Sequence, residues 1–193
     1  GRAMLPGLPE LPNVRRSLII PDDREMLVTV LAAEHRDFAD MPVAPSKGHI
    51  LRTVDPATVP YTFADFYRGQ STYPETLVEQ EDPYILRDVR GMVVDANVFR
   101  YDAGTRTLRV ATRLVIEVSA AGPGRINVLD RAAPPASVDP QFASLYRDHF
   151  VNGALAGRYT PVEENGSMLV IAYDSYAPYM EPFVAWKNQK GLP

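Results

Sequence analysis

Proline is the residue type that most constrains how this chain folds. The 193 residues include 18 prolines, which is about twice the average share of this residue type. Proline fixes φ and lacks a backbone N–H donor, so it interrupts helices and central strands and is common in turns. The proline content therefore argues against a helical bundle and favours many short strands joined by turns. Residues 1–12, GRAMLPGLPELP, predict an extended lead-in.

An alternating stretch gives the clearest strand prediction. In residues 107–118, TLRVATRLVIEV, apolar side chains recur at every second position, as in a half-buried strand. The residues DAGT at 102–105 predict a tight turn that joins this strand to a shorter one at 97–101. We expect an antiparallel β-sandwich over residues 13–152 that ends in a short helix. The other predicted elements are strands at 17–20, 26–31, 84–90 and 92–99, two extended pieces around an exposed loop at 42–56, and a helix at 140–152.

The composition changes after the predicted helix. Residues 153–166, NGALAGRYTPVEEN, are rich in Gly, Ala and polar residues and predict a linker. The apolar run MLVIAY at 168–173 predicts a strand covered on both faces, and 178–190 predicts an amphipathic helix. One strand and one helix cannot cover both faces of that strand. We therefore expect 167–193 to be the first β–α unit of a truncated α/β domain, whose strand at 168–173 is then free to self-associate with a second copy.

Charge and residue types exclude several classes of function. The net charge is −4, with no long basic run, which argues against a nucleic-acid partner. No apolar stretch reaches the roughly 18 residues of a membrane span. The chain has no cysteine and three histidines, so thiolate chemistry and a histidine-rich metal site are not expected. The acidic residues around Glu34–Asp40 predict a solvated helix or loop face. We expect this chain to be no enzyme by itself and to hold no cofactor or metal.

Three stretches of the sequence resemble gingipain-type cysteine endopeptidases. Residues 157–192, which contain GRYTPVEENGSMLVIAYDSY and FVAWKNQKGL, resemble the junction where an Arg–Tyr bond joins the family's prodomain to its catalytic domain. Residues 43–61 and 82–95 resemble parts of that prodomain. The resemblance implies an N-terminal prodomain of a secreted or cell-surface bacterial zymogen, which keeps a cognate catalytic domain latent and assists its folding. The catalytic Cys and His of the family, and its calcium sites, are then expected beyond residue 193.

The same resemblance implies roles for particular arginines. If the cognate enzyme prefers Arg, a rigid loop can offer an Arg to its specificity pocket and resist cleavage. We expect Arg52 to be this residue, with Arg87 and Arg90 as alternatives, and Lys47 if the enzyme prefers Lys. Arg158–Tyr159 is the expected processing site, because proteases cut mobile, extended linkers. The expected inhibitory loop comprises Lys47, Gly48, His49, Ile50, Leu51 and Arg52.

A function of another class remains open at this point. β-Sandwich domains carry many unrelated roles, so the fold alone does not exclude a binding or adhesion module without an inhibitory role. The linker motif and the attached start of an α/β domain favour the prodomain.

Overall fold

The computed structural model describes residue 1 and residues 4–132, 137–138, 140–154, 160–161 and 167–191. These residues form two compact units, 1–130 and 131–193, and each is described by itself.

Two antiparallel sheets make up the first unit. The strands are β1 Val14–Ile19, β2 Arg24–Phe38, β3 Thr72–Tyr73, β4 Val78–Gln80, β5 Tyr84–Leu86, β6 Val89–Ala96, β7 Phe99–Asp102 and β8 Thr107–Pro123. One sheet has the strand order β1-β6-β4 with β5 also paired to β6, and the other has the order β2-β8-β7-β3. Single turns of 3₁₀ helix at Pro56–Thr58 and Asp65–Arg68 lie between β2 and β3.

The core of the first unit lies between the two sheets. Met92 and Val94 of β6 pack with Met26 of β2 and with Ile20, which follows β1. Each apolar side chain of this size contributes about 1.5–3 kcal/mol when it is fully buried. The residues around this centre come from both sheets, which confirms the predicted antiparallel β-sandwich. They are Leu18, Val28, Val78, Ile116 and Val118.

The long strands β2 and β8 include a segment that the sequence assigned wrongly. The predicted hairpin between β7 and β8 is confirmed. Strand β2, however, continues to Phe38, so Glu34 and Asp37 lie on a strand and not on a helix or loop face. The reason is their pairing with β8. Asp37 accepts two hydrogen bonds of 2.8 Å from Arg109, and this contact lowers the pKa of the carboxyl.

A second difference lies in the hairpin formed by β5 and β6. The sequence predicted two strands separated at Gly91, yet Gly91 lies inside β6 and pairs with residues of both β1 and β5. The chain reverses earlier, through a two-residue turn at Arg87 and Asp88. Arg87 has a φ of 51° there, a left-handed conformation that non-glycine residues seldom adopt outside turns.

The predicted lead-in is extended but is part of the first unit. The Gly7 N–H donates to the Ser46 carbonyl over 2.9 Å, and the Ser46 N–H donates to the Leu8 carbonyl over 2.7 Å. Pro9 and Leu11 are buried. The N-terminal segment therefore packs beside residues 44–48 and supports them.

The second unit contains the two predicted helices. They are α1, Pro140–His149, and α2, Ala177–Gln189, and a parallel pair of two-residue strands is formed by β9, Ser137–Val138, and β10, Thr160–Pro161. The predicted strand at 168–173 is not part of a sheet among the described residues. Leu169 and Ile171 are 83% and 87% exposed. Among the described helices, none is long and apolar enough to span a membrane.

Candidate functional site

The predicted loop at 47–52 starts from a firmly held position. Ser46 is buried and its main chain bonds to the N-terminal segment on both sides. The next residues turn away sharply, because Gly48 has a φ of 75° and its N–H donates to the Ser46 Oγ over 3.0 Å. A Cβ atom on Gly48 would lie 2.7 Å from Pro6 Cγ. Glycine is required here by both its φ and the close approach of Pro6.

Lys47 connects the two ends of the loop. Its Nζ donates to the Pro56 carbonyl over 2.7 Å and lies 4.3 Å from the centroid of the Tyr61 ring. A hydrogen bond from a charged donor is stronger than a neutral one, and an ammonium over an aromatic face is attracted to it. Lys47 is thus engaged inside its own chain, whereas its role as the group offered to a Lys-preferring enzyme stays a prediction.

The far end of the loop is held by Asp55. The Asp55 Oδ1 accepts from the Ala57 N–H over 2.9 Å, and the Asp55 carbonyl accepts from the Thr58 N–H over 3.0 Å and from its hydroxyl over 2.7 Å. These bonds fix the start of the 3₁₀ turn at Pro56–Thr58. An aspartate before a proline is a common way to fix a turn, because its carboxylate bonds to the main chain two residues on.

Between these two anchors the chain makes a turn that displays Arg52. The Val54 N–H donates to the Leu51 carbonyl over 3.0 Å, which closes a turn with Arg52 as its second residue. Leu51 is 74% exposed, and His49, Arg52 and Thr53 are exposed as well. Within the part of the chain that the structure describes, Arg52 has neither a hydrogen-bond acceptor nor an ion-pair partner. The predicted loop is therefore a turn with fixed ends, and it exposes Arg52 to solvent.

The alternative residue Arg90 occupies a very different place. It is 1% exposed, and its guanidinium donates to four main-chain carbonyls. The acceptors are Asn127 from Nε at 2.8 Å, Pro21 and Arg24 from Nη1 at 2.8 and 2.6 Å, and Ile126 from Nη2 at 2.8 Å. The expectation that Arg90 offers its side chain to a partner is wrong, because this side chain holds the β1–β2 connection and residues 126–127 together.

The other alternative, Arg87, is exposed at the β5–β6 turn. The sequence placed it inside a strand, and the two-residue turn corrects this. Its Nε lies 3.4 Å from Asp88 Oδ2. The predicted processing site, Arg158 and Tyr159, lies outside the described residues. In the described part of the chain no three His, Asp or Glu side chains lie close enough to hold a metal ion.

An aromatic cluster supports the chain on the N-terminal side of the loop. The Tyr67 hydroxyl donates to the Val43 carbonyl over 3.0 Å, and its ring lies 5.0 Å from that of Phe63 and 6.4 Å from that of Tyr101. Burial raises the pKa of Tyr67 to about 12. Neither this contact nor the Lys47 contact has a signal in the sequence, because both join residues that are distant along the chain or belong to an irregular segment.

Comparison with known proteins places these features in a family context. Residues 4–135 match the family Propeptide_C25. Gingipain R1 of Porphyromonas gingivalis is 39% identical over 188 residues, which cover 96% of this chain and 18% of that protein. The chain thus spans less than a fifth of the length of this relative.

Two solved structures share the fold. One is a complex of Porphyromonas gingivalis RgpB pro- and mature domains, with a TM-score of 0.69 and 34% identity over 78% of this chain and 74% of that chain. The other, described as structural insight into zymogenic latency of gingipain K from the same organism, has a TM-score of 0.54 and 23% identity over 63% of this chain and 70% of that chain. At that identity the second likeness concerns the fold alone.

Proposed function

The chain belongs to the gingipain propeptide family, Propeptide_C25, and from this premise we propose that it keeps a cognate cysteine endopeptidase latent by placing Arg52 in the enzyme's active-site cleft. One solved structure that this chain resembles is a complex of pro- and mature domains, which supports a catalytic domain as the partner of this chain. The family also supports a secreted or cell-surface location and a role in folding of the enzyme.

The observation that carries this proposal is the exposed Arg52 on a turn whose ends are fixed. A specificity pocket with a carboxylate at its floor binds a planar guanidinium through two parallel, charge-assisted hydrogen bonds. Arg52 has no competing partner among the described residues, so it enters such a pocket without breaking an internal contact. A turn that is already closed by the Val54–Leu51 hydrogen bond loses little conformational entropy when it binds.

The fixed turn also explains how the loop can inhibit without being consumed at once. Cleavage requires the scissile carbonyl to reach attack geometry against the catalytic nucleophile. The bonds of Lys47 to Pro56 and of Ala57 and Thr58 to Asp55 resist the extension of the chain that this geometry needs. The Arg52–Thr53 bond therefore binds as a poor substrate.

We place release of the prodomain at Arg158–Tyr159, in the linker predicted at 153–166. Its Gly- and polar-rich composition supports this position, since proteases cut locally mobile chain. Arg158→Ala in the full precursor should block maturation at this bond, and N-terminal sequencing of the mature enzyme reads the result. Normal maturation at Tyr159 in that variant would remove the assignment.

The test of the inhibitory role uses the full chain and the cognate mature protease. Arg52→Ala should raise the inhibition constant by roughly 30-fold or more, the loss of about 2 kcal/mol expected when an anchor residue is truncated. Arg68→Ala is the matched control, because Arg68 is also exposed and its only described ion pair is with nearby Asp65. An unchanged inhibition constant for Arg52→Ala would overturn the role of Arg52. If the unaltered chain fails to inhibit at micromolar concentration, the latency proposal fails and a separate binding module becomes the better account.

A further inference from the structure

We propose that Lys47 is a positioning residue, which holds the Arg52 turn in the shape that binds a protease but resists cleavage. This inference rests on the proposed inhibitory function. Lys47 lies at one end of the loop, and its Nζ donates to the carbonyl of Pro56 at the other end over 2.7 Å. The Arg52 turn lies within the segment that this contact closes.

The contact restrains the loop as a crosslink would. Closing a segment between two of its residues removes most of the extended conformations that the segment could otherwise adopt. Residues 48–55 are closed in this way, and the Asp55 bonds tighten the same end of the loop. If the Lys47 contact is lost, the irregular segment between Gly48 and Asp55 keeps the hydrogen bond from the Val54 N–H to the Leu51 carbonyl as its internal restraint.

Tyr61 determines where the ammonium lies. The Lys47 Nζ is 4.3 Å from the centroid of the Tyr61 ring, a distance at which the ring face attracts a cation. One ammonium thus contacts a carbonyl and an aromatic face together. A methionine at this position would preserve the length and apolar stem of the side chain but could make neither contact.

The residue type itself fits this role. The chain has 17 arginines and three lysines, and Lys47 is one of the three. An arginine at position 47 would place a second guanidinium close to the residue offered to an arginine-binding pocket. Lysine is a compact, rotatable donor, so it can close the loop without adding another arginine beside Arg52.

The first measurement needs no protease. Amide hydrogen exchange of the free full chain should show exchange of the Val54 N–H accelerated by about tenfold or more in Lys47→Met, because opening of the turn exposes that donor. Tyr61→Leu should act in the same direction, whereas Tyr61→Phe keeps the aromatic face and should behave as the unaltered chain. Lys187→Met is the matched control. Lys187 lies over the Trp186 ring at 4.9 Å in the second unit, and its loss should leave Val54 exchange unchanged.

The second measurement adds the mature protease. Lys47→Met should be cut faster at Arg52–Thr53, with a larger effect on kcat than on KM, because the pocket contact of Arg52 is kept and the restraint on its carbonyl is lost. The urea midpoint of unfolding should stay within the range of the Lys187→Met control. If Lys47→Met lowers that midpoint strongly, the comparison of Tyr61→Leu with Tyr61→Phe decides the question in its place.

The two proposals fail in different ways. Unchanged Val54 exchange in both Lys47→Met and Tyr61→Leu would overturn the role of Lys47. If exchange rises in Lys47→Met but Arg52→Ala still inhibits fully, Lys47 does shape the loop and the inhibitory role of Arg52 is what fails.

Discussion

The tripeptide Ile-Leu-Arg occurs twice in this chain, at 50–52 and at 85–87, and both copies end in a turn. The first turn displays Arg52 without a partner among the described residues. In the second, Arg87 has a φ of 51° and lies beside Asp88. The same three residues thus reach two different states because their surroundings differ.

The difference lies in what holds each turn. Strands β5 and β6 pair directly up to Leu86 and Val89, so ladder hydrogen bonds impose the hairpin and compensate for the unfavourable φ of Arg87. The turn of Arg52 has no strand ladder, and side chains such as Lys47 and Asp55 hold its ends. A turn held by side chains can be loosened by one substitution without loss of the sandwich. This property suits the proposed role, in which the segment binds a protease and is later released.

The largest expected effect contrasts Arg90, next to the second turn, with Arg52. Arg90→Met keeps an unbranched apolar side chain but removes the donor to four main-chain carbonyls. We expect a loss of about 3–5 kcal/mol in the free energy of unfolding, because the buried Arg90 side chain loses four charge-assisted hydrogen bonds together. Urea unfolding followed by circular dichroism measures this loss.

Arg52→Met is the control for that measurement. Arg52 is exposed and has no described partner, so its loss should change the free energy of unfolding by less than about 0.5 kcal/mol. If Arg90→Met and Arg52→Met lowered the free energy of unfolding by similar amounts, Arg90 would not be the structural residue and Arg52 the exposed one that the contacts indicate.

An intermediate effect is expected at the start of the first turn. Gly48→Ala introduces a side chain at a φ of 75° and places its Cβ 2.7 Å from Pro6 Cγ. We expect a loss of about 1–3 kcal/mol in the free energy of unfolding, or a local displacement of the N-terminal segment. Gly122→Ala is matched to it, because no atom lies within 4 Å of the added Cβ there. Equal tolerance of both variants would show that Pro6 does not brace the loop.

The sequence predicted the sandwich well because its signals are local. The alternation at 107–118 and the DAGT turn at 102–105 define β7 and β8, and Pro178 and Gly191 mark the ends of α2 closely. The lengths of β2 and β5 were wrong for a different reason. The strand position of Asp37 is explained by its hydrogen bond with Arg109 on the neighbouring strand. These two residues are distant along the chain, so a local pattern does not reveal the contact.

The candidate site shows the same division. The prolines around residues 42–56 correctly predicted extended pieces around an exposed loop. Burial of Arg90 was missed, because its four acceptors are main-chain carbonyls and these carry no sequence signal. The engagement of Lys47 was missed as well, since a lysine in an irregular segment is normally solvated. Contacts of this kind depend on which distant segments of the chain lie beside the side chain. The periodicity of the sequence carries no information about that.

The smallest expected effect concerns Tyr67, which holds the chain before the first turn at Val43. Tyr67→Phe removes one neutral hydrogen bond and should lower the free energy of unfolding by about 1 kcal/mol. Burial raises the pKa of this phenol from 10.0 to about 12, so the folded state favours the protonated form. The stabilisation is therefore fully present below pH 10 and is lost as the pH rises towards 12. Urea unfolding of both proteins should show a constant difference up to about pH 9 and a decreasing one above pH 10.

The inhibition constant of Tyr67→Phe also tests which contacts hold the Arg52 turn. If Lys47 and Asp55 fix the Arg52 turn, Tyr67→Phe should change the inhibition constant by no more than about twofold, which is less than half a kcal/mol. The reason is that the Tyr67 hydroxyl contacts Val43, outside the closed segment. A loss close to the roughly 30-fold expected for Arg52→Ala would mean that the aromatic cluster holds the turn, and that the turn depends on the sandwich more than its own side-chain contacts indicate.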